Sequence, residues 1–422
     1  MRRGLILFAI LALVVPLGGL ATAAPPPAEE LEVLGPWSAG DPEGAGFLAE
    51  LGALRDVNLV YEQATGQDLI DRATGEDPPD VVLVSQPALL RDLGGTALDL
   101  TAFVPEARLR MDYGDYLLDL VTVDGAIIGG PVKMDVKTLV WYRPDDFDAG
   151  GYTVPETFAE LVRLSDDMVA DGRTPWCHYI GSGSATGWVG TDWIEDLLLG
   201  AEGPDVYDAW VAHDVLFTDL RVEDAFARYH IMTDASGYVW DRPNMLNVSF
   251  WDNAVPFGDG ECMMHRQGSF FAAALSTFGR DLDDYATFRF PSVDGAFDDA
   301  MVGGGTYVAA LNDRKVVADA IKLMLSPKWG RVELATNSGL NGWLVPSLRF
   351  KEARYTDDLV RSWLVAGHQA LASGQFRFDA SDIMPTQVGA GTFWSAIVDL
   401  VAGLKTVPQV LVEIDASWPS GP

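Results

Sequence analysis

Tryptophan is the residue type whose placement in this chain points most directly to chemistry. Thirteen of the 422 residues are Trp, and several lie in polar, glycine-rich segments instead of on apolar helix faces. An indole ring with one free face packs on the C–H face of a pyranose, while neighbouring carboxylates and amides bind the hydroxyls. The tryptophans placed in this way are Trp37, Trp188, Trp193, Trp251, Trp343 and Trp394.

Carboxylate, amide and amine side chains flank these rings and extend the candidate binding site. They are Gln86, Asp135, Lys137, Asp192, Gln267 and Asp382. Among the rings, we most expect Trp37, Trp188 and Trp394 to contact a ligand. Three other tryptophans lie in apolar strand or helix patterns and are expected in the core: Trp141, Trp210 and Trp363.

Motifs for catalysis and metal binding are absent from the sequence. The five histidines form no HxxxH or HExxH pair, so the sequence predicts no zinc site. No GxSxG motif occurs, and the glycine-rich run 181–187 fits neither a dinucleotide-binding nor a P-loop pattern. The sequence therefore offers no pattern for a cofactor, a metal or a catalytic group, and the placement of the rings favours sugar binding. A secreted glycoside hydrolase stays open as the alternative, because 61 acidic residues allow a catalytic carboxylate pair to go unnoticed.

The charge of the chain excludes whole classes of partner. With 61 Asp and Glu against 29 Lys and Arg, the formal net charge is −32. Such a chain lacks the basic surface of nucleic-acid-binding proteins and of proteins held to anionic lipid. Because 48% of the residues are apolar, the chain is too hydrophobic to be disordered.

The first 24 residues are typical of a secretory signal peptide. Two arginines precede an apolar run from Leu5 to Val15, and the small residues at 21–24 suit signal peptidase. A membrane anchor is the alternative, for which the run is short, and no Cys follows it to carry a lipid. We expect cleavage near Ala24 and a periplasmic protein of net charge −34, because two arginines and no acids are removed.

The chain has only two cysteines, Cys177 and Cys262, and export would bring both into an oxidising compartment. A bridge across this 85-residue interval is one interpretation, and a pair of buried thiols is the other. No CxxC spacing supports redox catalysis at either position.

Alternating strands and helices position these residues. The segments 30–34 and 81–84 are predicted strands, and the second is apolar throughout, as in a buried parallel sheet. Helices are predicted after a capping-box pattern at Thr153–Glu156 and from Asp313 to Leu325. This alternation indicates an α/β architecture. Because no flexible linker interrupts the chain, two lobes would be joined by crossing strands instead of a tether.

Three segments carry a resemblance to a known family. They are 35–38 (GPWS), 175–196 with ATGW followed by TDWIED, and 376–385 (FRFDASDIMP). These segments closely resemble the α-glucoside type of carbohydrate-binding protein from ABC importers. More distantly, the chain is similar to maltose-binding protein and other family 1 extracellular solute-binding proteins. The similarity extends from Leu31 to Trp418, with the motifs in the expected order.

The resemblance implies a two-lobed α/β fold of the maltose-binding-protein type, a class II periplasmic binding fold whose lobes close around a ligand. The implied ranges are 1–24 for the signal peptide, 25–135 and 293–310 for the N-terminal lobe, and 136–292 and 311–422 for the C-terminal lobe. The expected hinges are Gly130–Pro131, Phe290–Pro291 and Ala309–Asp313. Cys177 and Cys262 match cysteine positions of such proteins, which favours a bridge between them.

The same resemblance implies a function that needs no chemistry on the ligand. The protein would be the extracytoplasmic component of an ABC importer that captures an α-glucoside or a related mono- or disaccharide by lobe closure. It would deliver this sugar to the membrane permease subunits. A monomer is expected, with the sugar and the permease as partners and no nucleic acid.

Family positions also assign ligand contacts residue by residue. Trp37 and Ser38 fall in the sugar-contacting loop after the first strand. Phe270 stands where the family often has a tryptophan, and the segment around Trp343 departs from the family's glycine-rich pattern. The complete expected set is Trp37, Ser38, Gln86, Asp135, Lys137, Trp188, Asp192, Gln267, Phe270, Trp343, Asp382 and Trp394.

Overall fold

The structure is a computed structural model that describes residues 29–420 except 39, 53, 55–56 and 338–340. The expected signal peptide, residues 1–24, lies outside the described residues. The strands are β1 (Glu29–Gly35), β2 (Val57–Gln63), β3 (Val81–Val84), β4 (Thr122–Val123), β5 (Ala126–Ile127), β6 (Gly130–Val136), β7 (Leu139–Tyr142), β8 (Met264–Arg266), β9 (Ala286–Arg289), β10 (Met301–Ala310) and β11 (Phe376–Phe378). The helices are α1 (Pro42–Leu51), α2 (Gly66–Ala73), α3 (Pro87–Asp92), α4 (Glu106–Asp119), α5 (Pro144–Gly150), α6 (Phe158–Ala170), α7 (Trp188–Val211), α8 (Leu220–Asp234), α9 (Ala254–Asp259), α10 (Phe271–Thr277), α11 (Lys315–Met324), α12 (Trp329–Asn337), α13 (Asp358–Ser373), α14 (Ala380–Ile383), α15 (Trp394–Val401) and α16 (Val407–Ser417).

A six-stranded sheet forms the centre of the first lobe. Its order is β11-β10-β3-β1-β2, and β6 also pairs with β10. Strand β1 runs parallel to β2 and β3, whereas β10 runs antiparallel to β3 and β6. The predicted strands at 30–34 and 81–84 are confirmed as β1 and β3. Every residue of β3 is buried, which explains its unbroken apolar run.

A smaller antiparallel sheet, β8-β7-β9, belongs to the second lobe. Helices α6, α7, α8, α15 and α16 supply most of the core beside it, which includes Trp210 as predicted. Trp141 and Trp363 are also buried as predicted, in an adjoining cluster. Trp193 is buried in the core too, although its polar neighbours placed it among the candidate binding rings. No described helix combines the length and apolarity needed to cross a membrane.

Three chain crossings join the two lobes side by side, one after β6, one before β10 and one after β11. The Lys137 N–H donates to the Val302 carbonyl at 2.9 Å, and the Asp379 N–H donates to the Gly303 carbonyl at 2.8 Å. The predicted two-lobed α/β fold is confirmed, with crossing segments in place of a tether. Bending at the expected hinge segments stays a prediction.

The second lobe contains less of the C-terminal chain than the predicted range 311–422. Helix α11 packs Val317 and Ile321 into the same core cluster as Leu31 of β1, and β11 extends the first sheet. Helix α11 and strand β11 therefore belong to the first lobe. The apolar stripe of α11 predicts a helix correctly, but a stripe does not indicate which of two sheets it covers.

Helix α6 begins later than its predicted cap at Thr153. The Thr157 hydroxyl accepts the N–H of Glu160 at 3.3 Å, and the Glu160 carboxylate accepts the N–H of Glu156 at 2.9 Å. The same Thr-x-x-Glu spacing therefore occurs twice in this segment, and the second occurrence caps the helix.

A disulfide bond joins Cys177 and Cys262, and both residues are buried. The Cys177 N–H donates to the Met264 carbonyl at 2.9 Å, so the bridge lies directly beside β8. The bridge favoured by the resemblance is confirmed, and the alternative of two buried thiols is wrong.

We expect replacement of both cysteines by alanine to lower the free energy of unfolding by about 4 kcal/mol. The physical reason is that the bridge closes a loop across 85 residues and so restricts the unfolded chain. Urea unfolding of the variant and of the oxidised wild type measures the difference. Wild type in reducing buffer serves as the control and should lose a similar amount. A variant as stable as the oxidised wild type would contradict the prediction.

Candidate ligand-binding cleft

The predicted site residues converge at the carboxyl end of the first sheet. Trp37 follows β1 and Gln86 follows β3, and ligands of open α/β sheets bind outside this edge. Strand β6 and the residue that follows it place three charged side chains on one face: Lys133, Asp135 and Lys137. Met134 and Val136, which alternate with them, pack in the hydrophobic core instead.

A carboxylate that was not predicted organises one end of the cleft. Glu43, near the start of α1, accepts the indole N–H of Trp37 at 3.3 Å and that of Trp343 at 2.6 Å. The Lys133 ammonium pairs with Glu43 and lies 3.0 Å from an Asp135 oxygen. Glu43 therefore fixes two rings and one cation, all of them buried.

Aromatic rings lie between the charged groups of the cleft. The Lys133 nitrogen is 4.8 Å from the Trp343 ring centre and 5.4 Å from that of Phe270. The Lys137 nitrogen is 5.1 Å from the Trp188 ring centre, and the Trp188 and Phe270 rings are 6.1 Å apart. Each such cation–π contact is worth about 0.5–2 kcal/mol. The contacts therefore help to hold both lysines against the rings.

At the other end of the cleft, Lys137 belongs to a buried ion network. Its ammonium pairs with Asp379 and lies 3.1 Å from Asp192. Asp192 also accepts a hydrogen bond from Arg266 at 2.9 Å, and Arg266 binds Asp196 through two nitrogens. Because all five side chains are buried, each charge depends on its partners in the folded state.

Carboxylates outnumber cations in this network. Burial and neighbouring charges therefore shift the pKa values of these carboxyl groups in different directions. Burial raises the pKa of Asp192 to about 7, against the opposing charges of Lys137 and Arg266. Burial and then the neighbouring Asp379 raise the pKa of Glu195 well above its usual range. Burial also opposes ionisation of Asp379, but the Lys137 charge together with hydrogen bonds from Asp192, Lys137 and Ser381 outweighs it and lowers the pKa of Asp379. Burial thus favours the protonated form of Glu195, whereas the surroundings of Asp379 favour its ionised form.

The network also brings three carboxylates close enough together to resemble a metal site. Oxygens of Asp192, Glu195 and Asp379 lie within 4.8 Å of one another. Lys137 and Arg266 already bind two of these carboxylates, and two backbone N–H groups bind Glu195. Residues of the chain therefore already balance the negative charge that a metal cation would otherwise neutralise.

Most of the predicted site residues lie along this cleft. Gln86 of the first lobe forms a side-chain hydrogen bond with Asp382. Burial raises the pKa of Asp382 well above its usual range, and the hydrogen bond from Gln86 lowers it by a smaller amount. The predicted residues that the structure brings together are Trp37, Gln86, Asp135, Lys137, Trp188, Asp192, Phe270, Trp343 and Asp382.

Three predicted residues have different surroundings. Ser38 lies in a turn, where its N–H donates to Asp41 at 2.7 Å. The Trp394 indole is buried and donates to the Ser381 hydroxyl at 3.0 Å. Trp394 therefore contacts the ion network only indirectly, through Ser381. Gln267 is fully buried, and its amide nitrogen has no hydrogen-bond partner in the described part of the chain.

Six acidic or basic residues of the described site were not predicted: Glu43, Lys133, Glu195, Asp196, Arg266 and Asp379. The spacing of Lys133 from Asp135 and Lys137 is the period of a strand, and this pattern could have revealed it. Arg266 and Asp379 lie beside predicted residues, but nothing in the local sequence shows that their charges are buried and paired. Glu43 lies near a helix N-terminus, where acidic residues are common for other reasons.

Comparison with known proteins identifies the family. Residues 41–330, which are more than half of the chain, match the family model of the bacterial extracellular solute-binding proteins. This chain belongs to that family. The resemblance to family 1 solute-binding proteins that the sequence motifs indicated is thereby confirmed.

Two relatives cover most of this solute-binding protein. The osmoprotective compounds-binding protein GgtB of Synechocystis sp. is 35% identical over 86% of this chain and 86% of its own. The alpha-glucosides-binding periplasmic protein AglE of Rhizobium meliloti is 31% identical over 93% of this chain and 87% of its own. Both relatives are named as binding proteins and not as enzymes, so the glycoside hydrolase alternative gains no support from them.

Solved structures share the fold over nearly the whole chain. A chitin oligosaccharide binding protein superimposes with a TM-score of 0.75 at 19% identity, covering 92% of this chain and 98% of its own. The bacterial solute receptor AcbH gives a TM-score of 0.76 at 16% identity, covering 92% and 97%. Both likenesses establish the two-lobed fold that the resemblance implied.

We expect Glu195→Gln to gain stability relative to wild type as the pH rises. From a pH of about 4.5, the unfolded-state pKa of Glu195, the unfolded chain releases a proton that the folded protein keeps. Wild type therefore loses about 1.4 kcal/mol per pH unit until the pH passes the raised folded-state pKa, and the variant lacks this loss. Urea unfolding at several pH values between about 5 and 7 measures the widening difference.

Asp379→Asn is the matched control for this experiment. Because the pKa of Asp379 is lowered in the folded state, this variant should lose stability relative to wild type at neutral pH and recover in acid. A constant difference between Glu195→Gln and wild type across the pH range would show that Glu195 folds in its ionised form.

Proposed function

We propose that this protein captures an α-glucoside or a related small glycoside as the extracytoplasmic component of an ABC importer. The observation that carries the proposal is the arrangement along the cleft face of β6, where charged side chains stand between Trp343, Phe270 and Trp188. A pyranose offers C–H faces to such rings and hydroxyls to such charges. Capture and release of the ligand need no catalytic residue.

The charge distribution in the cleft favours a neutral ligand. Lys133 and Lys137 are each paired with two carboxylates, so a charged ligand would have to displace an existing ion pair. Hydrogen-bonding capacity is left over, because one oxygen of Asp135 has no partner among the described residues. A ligand hydroxyl can donate to this oxygen.

The relatives narrow the ligand class that we propose. One is named for alpha-glucosides and the other for osmoprotective compounds. Small neutral glucosides such as trehalose and sucrose satisfy both descriptions chemically. We therefore place neutral mono- and disaccharide glucosides first in the ligand class.

Lobe closure is the proposed means of capture. Trp37 and Trp343 pack in the core of the first lobe, whereas Phe270 packs in that of the second and Trp188 packs against it. A ligand that touches both pairs stabilises the closed state through its differential affinity for that state. In this proposal the protein acts as a periplasmic monomer after removal of residues 1–24, and its closed form is presented to the permease subunits.

We expect at least one of maltose, trehalose, sucrose and palatinose to raise the melting temperature and to change the tryptophan fluorescence in a saturable way. Binding to the folded state stabilises it by mass action, and the rings listed above lie in the cleft. The sugar should be recovered unchanged after prolonged incubation. Release of reducing sugar that stops when one carboxylate is replaced would support the glycoside hydrolase instead.

We expect Trp188→Ala to lower the affinity for the bound sugar by at least about tenfold, because the variant loses the second-lobe ring beside Lys137. Isothermal titration measures the affinity, and circular dichroism checks the fold. The control is Trp418→Ala, which removes a ring that stacks on His213 at 4.2 Å in a different part of the second lobe. Equal affinities of Trp188→Ala and wild type would remove Trp188 from the site.

A further inference from the structure

Thr306 lies in the cleft floor, although neither its sequence context nor the family resemblance singled it out. It pairs with Lys133 across β10 and β6, and the following residue, Tyr307, pairs with Val84 at the end of β3. Thr306 is therefore situated between the charged face of β6 and the turn that carries Gln86. These are two of the predicted ligand-binding segments.

A local irregularity fixes the position of Thr306. The pairing of β10 with β6 shifts register between Thr306 and Tyr307, and bulges of this kind re-aim a side chain beside a binding site. Gly305 has φ +155°, and a Cβ there would lie 2.2 Å from the Lys133 carbonyl oxygen. Glycine at 305 thus lets β10 approach β6 closely and holds Thr306 beside Lys133.

The Thr306 hydroxyl is buried without a hydrogen bond. The residue is 0% exposed, and its oxygen has no partner in the described part of the chain. Other buried threonines differ: the Thr191 hydroxyl donates to the Trp188 carbonyl at 2.9 Å, and that of Thr233 donates to the Tyr229 carbonyl at 3.0 Å. A buried hydroxyl without a hydrogen bond destabilises the folded state. Folding alone therefore gives no reason for a hydroxyl at this position.

A second unpartnered group lies on the same face. Asp135 pairs with Gly304, two residues before Thr306, and one oxygen of Asp135 also lacks a partner among the described residues. Diagonal neighbours in an antiparallel pair are about 7–8 Å apart, a span that one pyranose ring bridges. The two groups together offer an acceptor and a donor–acceptor to adjacent ligand hydroxyls.

We propose that Thr306 is a specificity-determining residue of the cleft, whose hydroxyl, together with the free Asp135 oxygen, binds a pair of hydroxyls on a neutral sugar ring. This inference rests on the proposed function and names the hydroxyl pattern that the site requires. When a ligand has no hydroxyl at the position facing Thr306, the threonine hydroxyl stays without a hydrogen-bond partner in the closed complex. Such a ligand therefore binds more weakly than one that carries the hydroxyl.

The test is Thr306→Val, which keeps the shape and β-branching of the side chain and removes only the hydroxyl. Thermal unfolding of the ligand-free protein should show equal or greater stability, because an unsatisfied polar group has been removed. Isothermal titration with whichever of maltose, trehalose, sucrose or palatinose binds should show an affinity at least about tenfold lower. Thr306→Ser, which restores the hydroxyl, should bind within about threefold of wild type.

The matched control is Thr233→Val. The Thr233 hydroxyl is buried and satisfied in α8, so its loss should lower the melting temperature and leave the affinity for sugar unchanged. Thr306→Val is thus expected to weaken binding without loss of stability, whereas Thr233→Val is expected to lose stability without weaker binding. A purely structural role for the Thr306 hydroxyl would instead give destabilisation with unchanged affinity, and this result would overturn the inference.

Deoxy analogues of the same disaccharide identify the ligand hydroxyl. Wild type should bind one deoxy analogue about tenfold more weakly than the parent sugar, and Thr306→Val should not distinguish the two. If both proteins discriminate equally, the inference about Thr306 fails while the proposed function stands. If wild type binds none of the four disaccharides, the proposed function itself fails, and this inference fails with it.

Discussion

A single buried ammonium ties together the three crossings on which this fold depends. Lys137 lies immediately after β6, its partner Asp379 lies immediately after β11, and Asp192 reaches it from α7. An unpaired buried ion costs several kcal/mol, so these three segments must come together for the protein to fold. Gly304 of β10, the strand that follows the remaining crossing, makes room, since a Cβ there would lie only 3.0 Å from the Lys137 side chain. The position of this lysine therefore fixes where the two lobes meet.

The arrangement of the cleft follows from the position of Lys137, because side chains two residues apart along a strand lie on the same face. With Lys137 on the inner face of β6, Asp135 and Lys133 must share the face, and their charges need partners at the other end of the cleft. Glu43 provides one, and in doing so it orients Trp37 and Trp343. Because both lysines are neutralised by the protein itself, they do not form an anion site. They hold carboxylates in place for hydrogen bonding to a neutral ligand.

The sequence predicted those features that depend on local pattern. The buried run Val81–Val84 and the helix α11 were both predicted, since each has a period that neighbouring residues reveal. The lobe to which α11 belongs was not, because its apolar stripe fits either sheet. Glu43 and its partner Trp343 are separated by 300 residues, so no local pattern joins them. Trp193 was misplaced for a related reason: its polar context indicated a binding site, yet its neighbour Asp192 and nearby Asp196 are buried in ion pairs.

The strongly negative charge of the chain is compatible with the proposed neutral ligand. The net charge acts over long distances, whereas recognition of a neutral sugar depends on short-range contacts. A net charge of −32 produces a long-range field that steers ions but exerts little force on a neutral sugar. Discrimination must then come from short hydrogen bonds, and these require polar groups that stay unsatisfied until the ligand arrives. Such groups destabilise the free protein, so the site needs a scaffold stabilised elsewhere. In the proposed function, the disulfide beside β8 and the paired ions hold the scaffold together without occupying the cleft, which leaves the unpartnered oxygens of Asp135 and Thr306 for the ligand.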